Sequence, residues 1–483
     1  MIQFFTFIFS LLENLLKFIF DFIETCISAI PKKKQGYQAS FAPEKELLSK
    51  HHTGFCLTGD KSLSAKTSYT NCLVVAQTGG GKSTIVLLPT CYSAKGSFII
   101  HDPSGELFAK SSGYLKNKGY DIKILNFAKP ENSSGYNPLV RANSSSEIQK
   151  VANMLVSTGL GGNSKDKFWE SMSVSLLSSL IAILKKQPAE FQNLYNVRQL
   201  LTSLGANPEG VDALFSKHAD SILFSEYKSF ISHDDKITGG VAATAKAALQ
   251  LFADESVARA TAHDTISFED FRKKPTALYI MNSVTETKYY SGLISIFFEQ
   301  FFTYIFSHFP EDHEQDIWFL IDEASSLHIP TLPLALANIR KHRGGIMQLV
   351  QTVSQYHHYG KDNISAIKTN SFVKMYFPGQ DLETARELEG ILGKFEYKEK
   401  DKEGKDGQKV IKSLMTADEI IRMKHNTALI VAGSHKPILG KLTPFYENKK
   451  YLEYSKMPAP VIKSTAPDSV NVLPLPEIEK DHE

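Results

Sequence analysis

Two periodicities divide the chain. Short apolar runs with little polar alternation, LVVA at 73–76, SFII at 97–100, TALYIM at 276–281, IWFLI at 317–321 and GIMQLV at 345–350, read as strands, the fourth buried on both faces as a central parallel strand would be. GYDIKILNF at 119–127 adds another. Turns and helical spacing follow, as in SFIIHDPSGELF at 97–108, so strands and helices alternate in the manner of an α/β fold with a mostly parallel sheet. After IWFLI a helix should end near Arg343. Between residues 140 and about 265 the strand signals give way to long 3.6-residue periods, FWESMSVSLLSSLIAIL at 168–184 and GVAATAKAALQLFA at 240–253. An all-α domain at 140–265 is therefore expected, inserted between two parts of one α/β domain, 35–139 and 266–457. Trp169 reads as a core residue of that insertion rather than a base-stacking platform. The charged, glycine-containing stretch from Tyr397 to Lys409 predicts an exposed hairpin loop. From Pro458 to Glu483 the chain is rich in proline and acidic residues, ending EIEKDHE, and a disordered tail is expected.

The first thirty residues, MIQFFTFIFSLLENLLKFIFDFIETCISAI, are far richer in Phe, Leu and Ile than the rest. Ser10, Glu13, Asn14, Lys17, Asp21, Glu24 and Ser28 fall three and four apart, which makes one polar helical stripe. A cleaved signal peptide would carry basic residues first and no acids in its apolar run. A helix of this length reaches about 45 Å, enough to cross a bilayer. Glu13, Lys17 and Asp21 at mid-depth would each cost on the order of 3 kcal/mol. Two arrangements stay open: a helix lying in the membrane interface, or a spanning helix whose polar stripe faces sibling helices in an oligomer. In either, Pro31 ends the helix and Lys32, Lys33 and Lys34 mark the cytoplasmic side, so residues 1–34 are read as a membrane-associated segment.

Composition narrows the partners. The 483 residues are enough for several domains and a large core. Lys and Arg number 54 against 52 Asp and Glu, a net charge of +2. There is no global basic footprint, so a nucleic-acid partner would have to be met by local groups, for example inside a pore. The 4 cysteines form no C-x-x-C pair and read as reduced cytoplasmic thiols.

The chemistry starts at LVVAQTGGGKST, residues 73–84, a strand entering a glycine-rich turn that opens a helix. Gly79, Gly80 and Gly81 let the backbone fold around a polyphosphate and aim N–H groups at it. The helix start adds its own unpaired N–H groups and its positive dipole end. Lys82 can reach β- and γ-phosphates, and the Ser83 hydroxyl can ligate Mg²⁺. Ala76 stands where the stricter motif has glycine; Ala76, Gln77, Thr78, the three glycines, Lys82, Ser83 and Thr84 together are expected to bind ATP. In IWFLIDEAS, Asp322 falls at the carboxyl end of its strand, where it can hold the Mg²⁺ shell, and Glu323 can polarise a water as general base. Asp102 ends the strand beside the loop, either supporting the site or forming the turn.

In order and content these segments resemble the TraG/TraD-class type IV coupling proteins of bacterial conjugation. HDPSGELF resembles that family's DPKGEL segment with Ser104 in place of lysine, and SSGYNPL (133–139) and KFWE (167–170) flank the helical insertion as expected. FLIDEASSLHIPTLPLALANIRKHRGGIMQLVQTVSQYHHYG (319–360), LETARELEGILG, SLMTADEIIRM and GSHKPILGKLTPFY continue the match, which runs from about Thr70 to Tyr446. The resemblance implies a RecA-like motor domain, a homohexamer at the bacterial inner membrane, Mg²⁺ and ATP, and single-stranded DNA or relaxase–DNA cargo passed to type IV secretion channel components. By position it implies that Gln351 senses the γ-phosphate, with Gln355 as the alternative, and that Arg340 is an arginine finger, although the run Arg340-Lys341-His342-Arg343 also fits a solvated basic patch. The family has two transmembrane helices, whereas one polar-striped segment is present here. An FtsK-like translocase and an ATP-binding cargo receptor that does not pump are the competing classes; the helical insertion argues against the first, and Lys82, Glu323 and Arg340 against the second.

Overall fold

A computed structural model of the chain describes residues 37–160, 167–400 and 406–476. The expected membrane-associated helix within 1–34 lies outside the described residues. The described residues form two compact units: a small one drawn from residues 37–40 and 387–416, and a large one drawn from residues 41–386 and 417–476. The small unit is a hairpin of β8 (Lys394–Lys400) and β9 (Asp406–Ser413), so Tyr397 and Lys409 lie in paired strands rather than in a loop.

The large unit is built on nine strands: β1 (Cys72–Val75), β2 (Ser97–His101), β3 (Asp121–Leu125), β4 (Thr276–Ile280), β5 (Ile317–Ile321), β6 (Gly344–Val350), β7 (Val373–Tyr376), β10 (Thr427–Ala432) and β11 (Ile438–Lys441). Their order is β11-β10-β7-β1-β6-β5-β2-β4-β3. The seven from β7 to β3 are mutually parallel, and β10 is antiparallel to both its neighbours. Every residue of β1, β2, β4, β5 and β6 is buried, because helices cover both faces of a parallel sheet. Cys56, Cys72 and Cys91 are buried free thiols in this unit.

Between β3 and β4 the described residues contain helices and no strand. The sequence punctuates them with side-chain caps: Ser144 and Glu147 form a reciprocal capping box, and Asn193, Asn207, Asp220, Asp234 and Asp254 each accept a backbone N–H at the start of the next helix. Among the described residues one helix, Lys167–Lys185, is long and apolar enough to cross a membrane. Its Leu176, Leu177, Leu180, Ile181, Ile183 and Leu184 are buried, as befits a core helix of this layer. Trp169 lies directly over Gly240 of the helix Asp235–Ala248; a Cβ there would fall 2.6 Å from its ring.

The carboxyl-terminal stretch differs from expectation. Residues 458–476, read from composition as disordered, form no helix or strand but are bonded to elements of the helical layer. The Ser464 hydroxyl donates to the Pro130 carbonyl, and Thr465 Oγ1 lies 3.0 Å from His263 Nε2. Arg259 Nε donates to the Pro467 carbonyl at 2.8 Å. The fully buried Asn196 donates to the Asn471 carbonyl at 2.9 Å and accepts the Leu473 N–H at 2.8 Å. Composition missed this because a proline-rich segment has no periodicity of its own, while partners distant in sequence order it: Leu473 is buried, and Ile462 packs against the core. Asn196→Ala strands both backbone groups and should destabilise the protein by about 1–3 kcal/mol in denaturant unfolding. Truncation after Met457 should cost at least as much, and unchanged stability in both variants would mean that the strap is not anchored.

Candidate functional site

Three neighbouring strands carry the site. β1, β6 and β5 lie side by side and parallel, so their carboxyl ends bring the phosphate loop, Gln351 and the Asp322–Glu323 pair to one edge of the sheet. Gly79 and Gly81 have φ of 78° and 91°, the left-handed region that favours glycine. The Gly80 N–H is taken by the Gln77 carbonyl at 3.1 Å and the Ile85 N–H by the Gly81 carbonyl at 2.9 Å. Those of Gly79, Gly81, Lys82 and Ser83 have no partner among the described residues, which makes the loop an anion-binding concavity. A π-helical turn, Lys82–Leu87, then leads into the helix Leu88–Ser93. The Thr84 hydroxyl bonds back to the Gly81 carbonyl at 3.1 Å and stabilises the loop. Gln77 donates its side-chain amide to the Gly379 carbonyl, and buried Gln380 donates to the carbonyls of Val75 and Phe377 at 3.2 and 2.7 Å.

Lys82 is only 8% exposed, and its Nζ lies 3.1 Å from the Ala76 carbonyl and 3.4 Å from Glu323 Oε1. Gln351 Nε2 reaches the same carboxylate at 3.4 and 3.3 Å. Glu323 itself has φ of 49°, strained for a residue with a side chain. It is held there by its N–H on Asp322 Oδ1 (3.1 Å) and by its carbonyl, which accepts the Ser326 N–H at 2.8 Å and hydroxyl at 2.7 Å.

Asp322 is clamped by His101 at the end of β2: its N–H donates to the His101 carbonyl at 3.3 Å, and its carbonyl accepts from His101 Nδ1 at 2.7 Å. That contact puts the proton on Nδ1, and Nε2 is buried without a partner in the described chain. Burial pushes the His101 pKa down to about 4, so the ring is neutral at physiological pH. Asp102 accepts the Phe108 N–H at 2.8 Å and the Ser104 hydroxyl at 3.2 Å, so it forms the turn into the helix Glu106–Asn117. Burial, then the charge of Glu323, pushes the Asp322 carboxyl up to about 6; Lys82 opposes the shift and Asp102 adds to it. Asp322 and Glu323 thus stand beside one ammonium, that of Lys82, with Asp102 adding to the negative charge. Among the described residues no group of three or more His, Cys, Asp or Glu is placed to hold a metal ion, and the hard oxygen donors next to the loop are the Asp322 carboxylate and the Ser83 hydroxyl.

Arg340 is not brought to this site. It is exposed on the 3₁₀ turn Ile339–His342, before β6, whereas Gln351 follows the 7-residue strand. At roughly 3.3 Å per residue the two ends are about 20 Å apart. Arg343 is committed elsewhere: it bonds Asp316 at 2.8 Å and the carbonyls of Glu311 and Glu314 at 2.7 and 2.9 Å. Residue-by-residue reading missed His101 and Ser325. Gln77 is expected in the loop, where its side chain instead reaches Gly379, and Gln355 is expected only as the alternative to Gln351.

A glycine-rich loop after one parallel strand, with an acidic pair and a glutamine ending the next two, defines a nucleotide-binding P-loop protein on a RecA-like α/β fold. The model of the type IV secretory system conjugative DNA transfer family matches residues 31–469, and the chain belongs to that family. It is 24% identical to protein VirD4 of Rhizobium radiobacter over 345 residues, 68% of this chain and 48% of that protein. It is also 24% identical to the conjugal transfer protein TraG of Escherichia coli over 454 residues, 81% of this chain and 69% of TraG. The chain spans about half the length of the VirD4 relatives. Among solved structures it is similar to the bacterial conjugative coupling protein TrwBdeltaN70, with a TM-score of 0.66, 19% identity and coverage of 85% of this chain and 95% of that one. It is similar as well to TrwB in complex with ADP and Mg²⁺, with a TM-score of 0.65, 18% identity and coverage of 85% and 95%. These likenesses establish the shared fold.

The Asp322 shift has a consequence for stability. Its carboxyl titrates near 6 in the folded chain against 3.8 for the free group, so between those values the folded state binds more protons than the unfolded one. Stability is therefore lost as pH rises through that window. Without added ligand, Asp322→Asn should be the more stable protein at pH 7.5, by on the order of 2 kcal/mol, with the difference shrinking toward pH 4. Denaturant unfolding at several pH values checks this; a difference constant with pH would show that Asp322 ionises normally.

Proposed function

We propose that this chain is a membrane-associated, ATP-hydrolysing coupling protein that recruits relaxase–DNA cargo and drives DNA transfer through a type IV secretion apparatus. The convergence of Lys82, Gln351 and Glu323 on adjacent strand ends, in a member of the conjugative DNA transfer family, carries the proposal. Lys82 and Gln351 share the Glu323 carboxylate. Lys82 turns its ammonium to the β- and γ-phosphates of ATP, and Glu323, left to Gln351, accepts a proton from the attacking water. Gln351 sits where it can register the γ-phosphate and transmit that to the base. Ser83 and Asp322 would hold Mg²⁺, which supplies charge neutralisation at the phosphates. His101 keeps the backbone of Asp322 fixed.

Arg340 belongs to this reading only across a subunit boundary. An exposed guanidinium at the amino end of β6 would serve a neighbouring subunit's site, as in the homohexameric ring that the family resemblance implies. Residues 1–34 supply attachment to the inner membrane, and residues 140–265 form the all-α domain. Single-stranded DNA, a relaxase and the secretion channel are the partners.

Steady-state ATPase of the full chain, with and without single-stranded DNA, tests the proposal. Lys82→Ala and Glu323→Gln should both lower turnover at least about a hundredfold. Lys82→Ala should also weaken ATP binding, whereas Glu323→Gln should bind and trap ATP. Equal loss of binding in both would contradict the assigned roles, and ATPase indifferent to DNA would favour a receptor that does not pump.

Arg340→Ala should depress turnover by on the order of 10³-fold with little effect on ATP binding. Mixing inactive Arg340→Ala and Lys82→Ala chains should restore some activity, because mixed rings pair an intact loop with an intact arginine. Mixed rings that form and stay inactive would remove Arg340 from the mechanism.

A further inference from the structure

One side-chain atom ties together the two strand ends that carry Gln351 and Glu323. Residues 351–355, QTVSQ, leave β6 and enter the 3₁₀ segment Val353–Tyr359. There the Gln355 side-chain oxygen, Oε1, accepts three hydrogen bonds: from the Gln351 N–H at 3.1 Å, from the Thr352 N–H at 3.4 Å and from the Ser325 hydroxyl at 3.2 Å. The first two fix the backbone from which Gln351 projects. The third reaches the short turn Ala324–Ser326, which begins at Glu323. The brace therefore spans β6 and β5 beneath a contact, Gln351 Nε2 to Glu323, that is only 3.3 Å long. Glu323 needs such a support, because its φ of 49° is one that a residue with a side chain keeps only when its surroundings impose it.

We propose that Gln355 is the positioning residue that sets the Gln351–Glu323 geometry, joining the γ-phosphate sensor to the general base; this rests on the hydrolytic role proposed above. It does so through its acceptor oxygen and not by touching phosphate. That distinguishes it from a second sensor, which would need the amide Nε2 as donor. It also distinguishes it from a packing residue, whose effect would be independent of Gln351.

The test uses full-length protein and ATP. Gln355→Met keeps the length of the side chain and removes the acceptor; kcat should fall about ten- to a hundredfold with KM within about threefold. Gln355→Glu keeps an acceptor oxygen at the same reach and should hold kcat within about fivefold of the parent. Gln351→Ala combined with Gln355→Met should be no slower than Gln351→Ala alone, since the brace acts through Gln351. Ser325→Ala, which removes one donor and leaves the other two bonds intact, provides a mild variant should Gln355→Met fail to fold, and should lower kcat a few-fold with KM unchanged. A Gln355→Glu protein as slow as Gln355→Met would overturn the proposal in favour of an amide–phosphate contact. Additive losses in the double variant, or unchanged kcat in both Gln355→Met and Ser325→Ala, would overturn it as well. Absence of Lys82-dependent ATPase in the parent chain would instead sink the hydrolytic reading.

Discussion

Glu323 is shared between an ammonium that follows one strand and an amide that follows another, and the strand order β1-β6-β5 brings both within its reach. Adjacent strands are about 4.8 Å apart, so loops leaving β1 and β5 stand roughly 10 Å apart with β6 between them. Lys82 crosses that gap from one side, and Gln351 fills it from the middle. The pairing is sensitive to register: a slip of β6 by one residue would turn Gln351 to the opposite face. With both faces buried, register is pinned by residues that fit only where they stand: a Cβ on Gly345 would fall 2.5 Å from the Ser68 carbonyl and 2.9 Å from the Trp318 ring, and buried Gln348 bonds Ser371 and Tyr356. The site is thus precise because the strand beneath it is held by specific close contacts and buried hydrogen bonds.

The two ends of the sheet are built differently. At the amino ends polar side chains close every gap. Asn71, itself at φ 64°, donates to the Leu336 and Asn370 carbonyls at 2.8 and 3.1 Å and accepts the Ile346 N–H at 3.0 Å. Buried Arg272 donates to the carbonyls of Gln315 and His342. At the carboxyl ends the polar groups are less fully paired: the N–H groups of Gly79, Gly81, Lys82 and Ser83 have no partner among the described residues, and Asp322 and Glu323 lie beside the single ammonium of Lys82. A rigid base and a polar, under-neutralised mouth are what an open α/β sheet needs in order to bind at its strand ends.

Much of this was legible in the sequence, for a physical reason. The strand Ile317–Ile321 and the parallel sheet follow from apolar runs, and the phosphate loop from glycines and a lysine whose spacing is fixed by local backbone geometry. The meeting of Lys82, Glu323 and Gln351 was inferable only from motif order, because 241 residues separate the first two. The strap at 458–476 and the clamp from His101 to Asp322 left no local trace. Both are made by polar groups whose partners lie far along the chain: Pro130, Asn196, Arg259 and His263 for the strap, and a backbone carbonyl for His101. Composition can say that such a segment has no core of its own; it cannot say that another element's buried amide is waiting for it.

The two arginines before β6 show how a structural residue fixes the direction of a free one. Arg343 ends the 3₁₀ turn in a left-handed conformation, φ 47°, and its guanidinium is taken up by Asp316 and two carbonyls. With that end pinned and Ile339 buried at the other, the short turn between them has one orientation. Arg340, on its outer face, is exposed and has no ion-pair partner among the described residues. A lone surface arginine costs the fold nothing and by itself explains nothing. Here Leu332, Ala335 and Leu336 of the helix Leu332–Asn338 are buried on one side of the turn and Arg343 is fully bonded on the other, so the backbone that carries Arg340 holds that side chain outward. Replacing Arg343 would therefore disturb Arg340 by releasing the turn, and a loss of activity in an Arg343 variant could not be credited to Arg343 as a charge in the reaction.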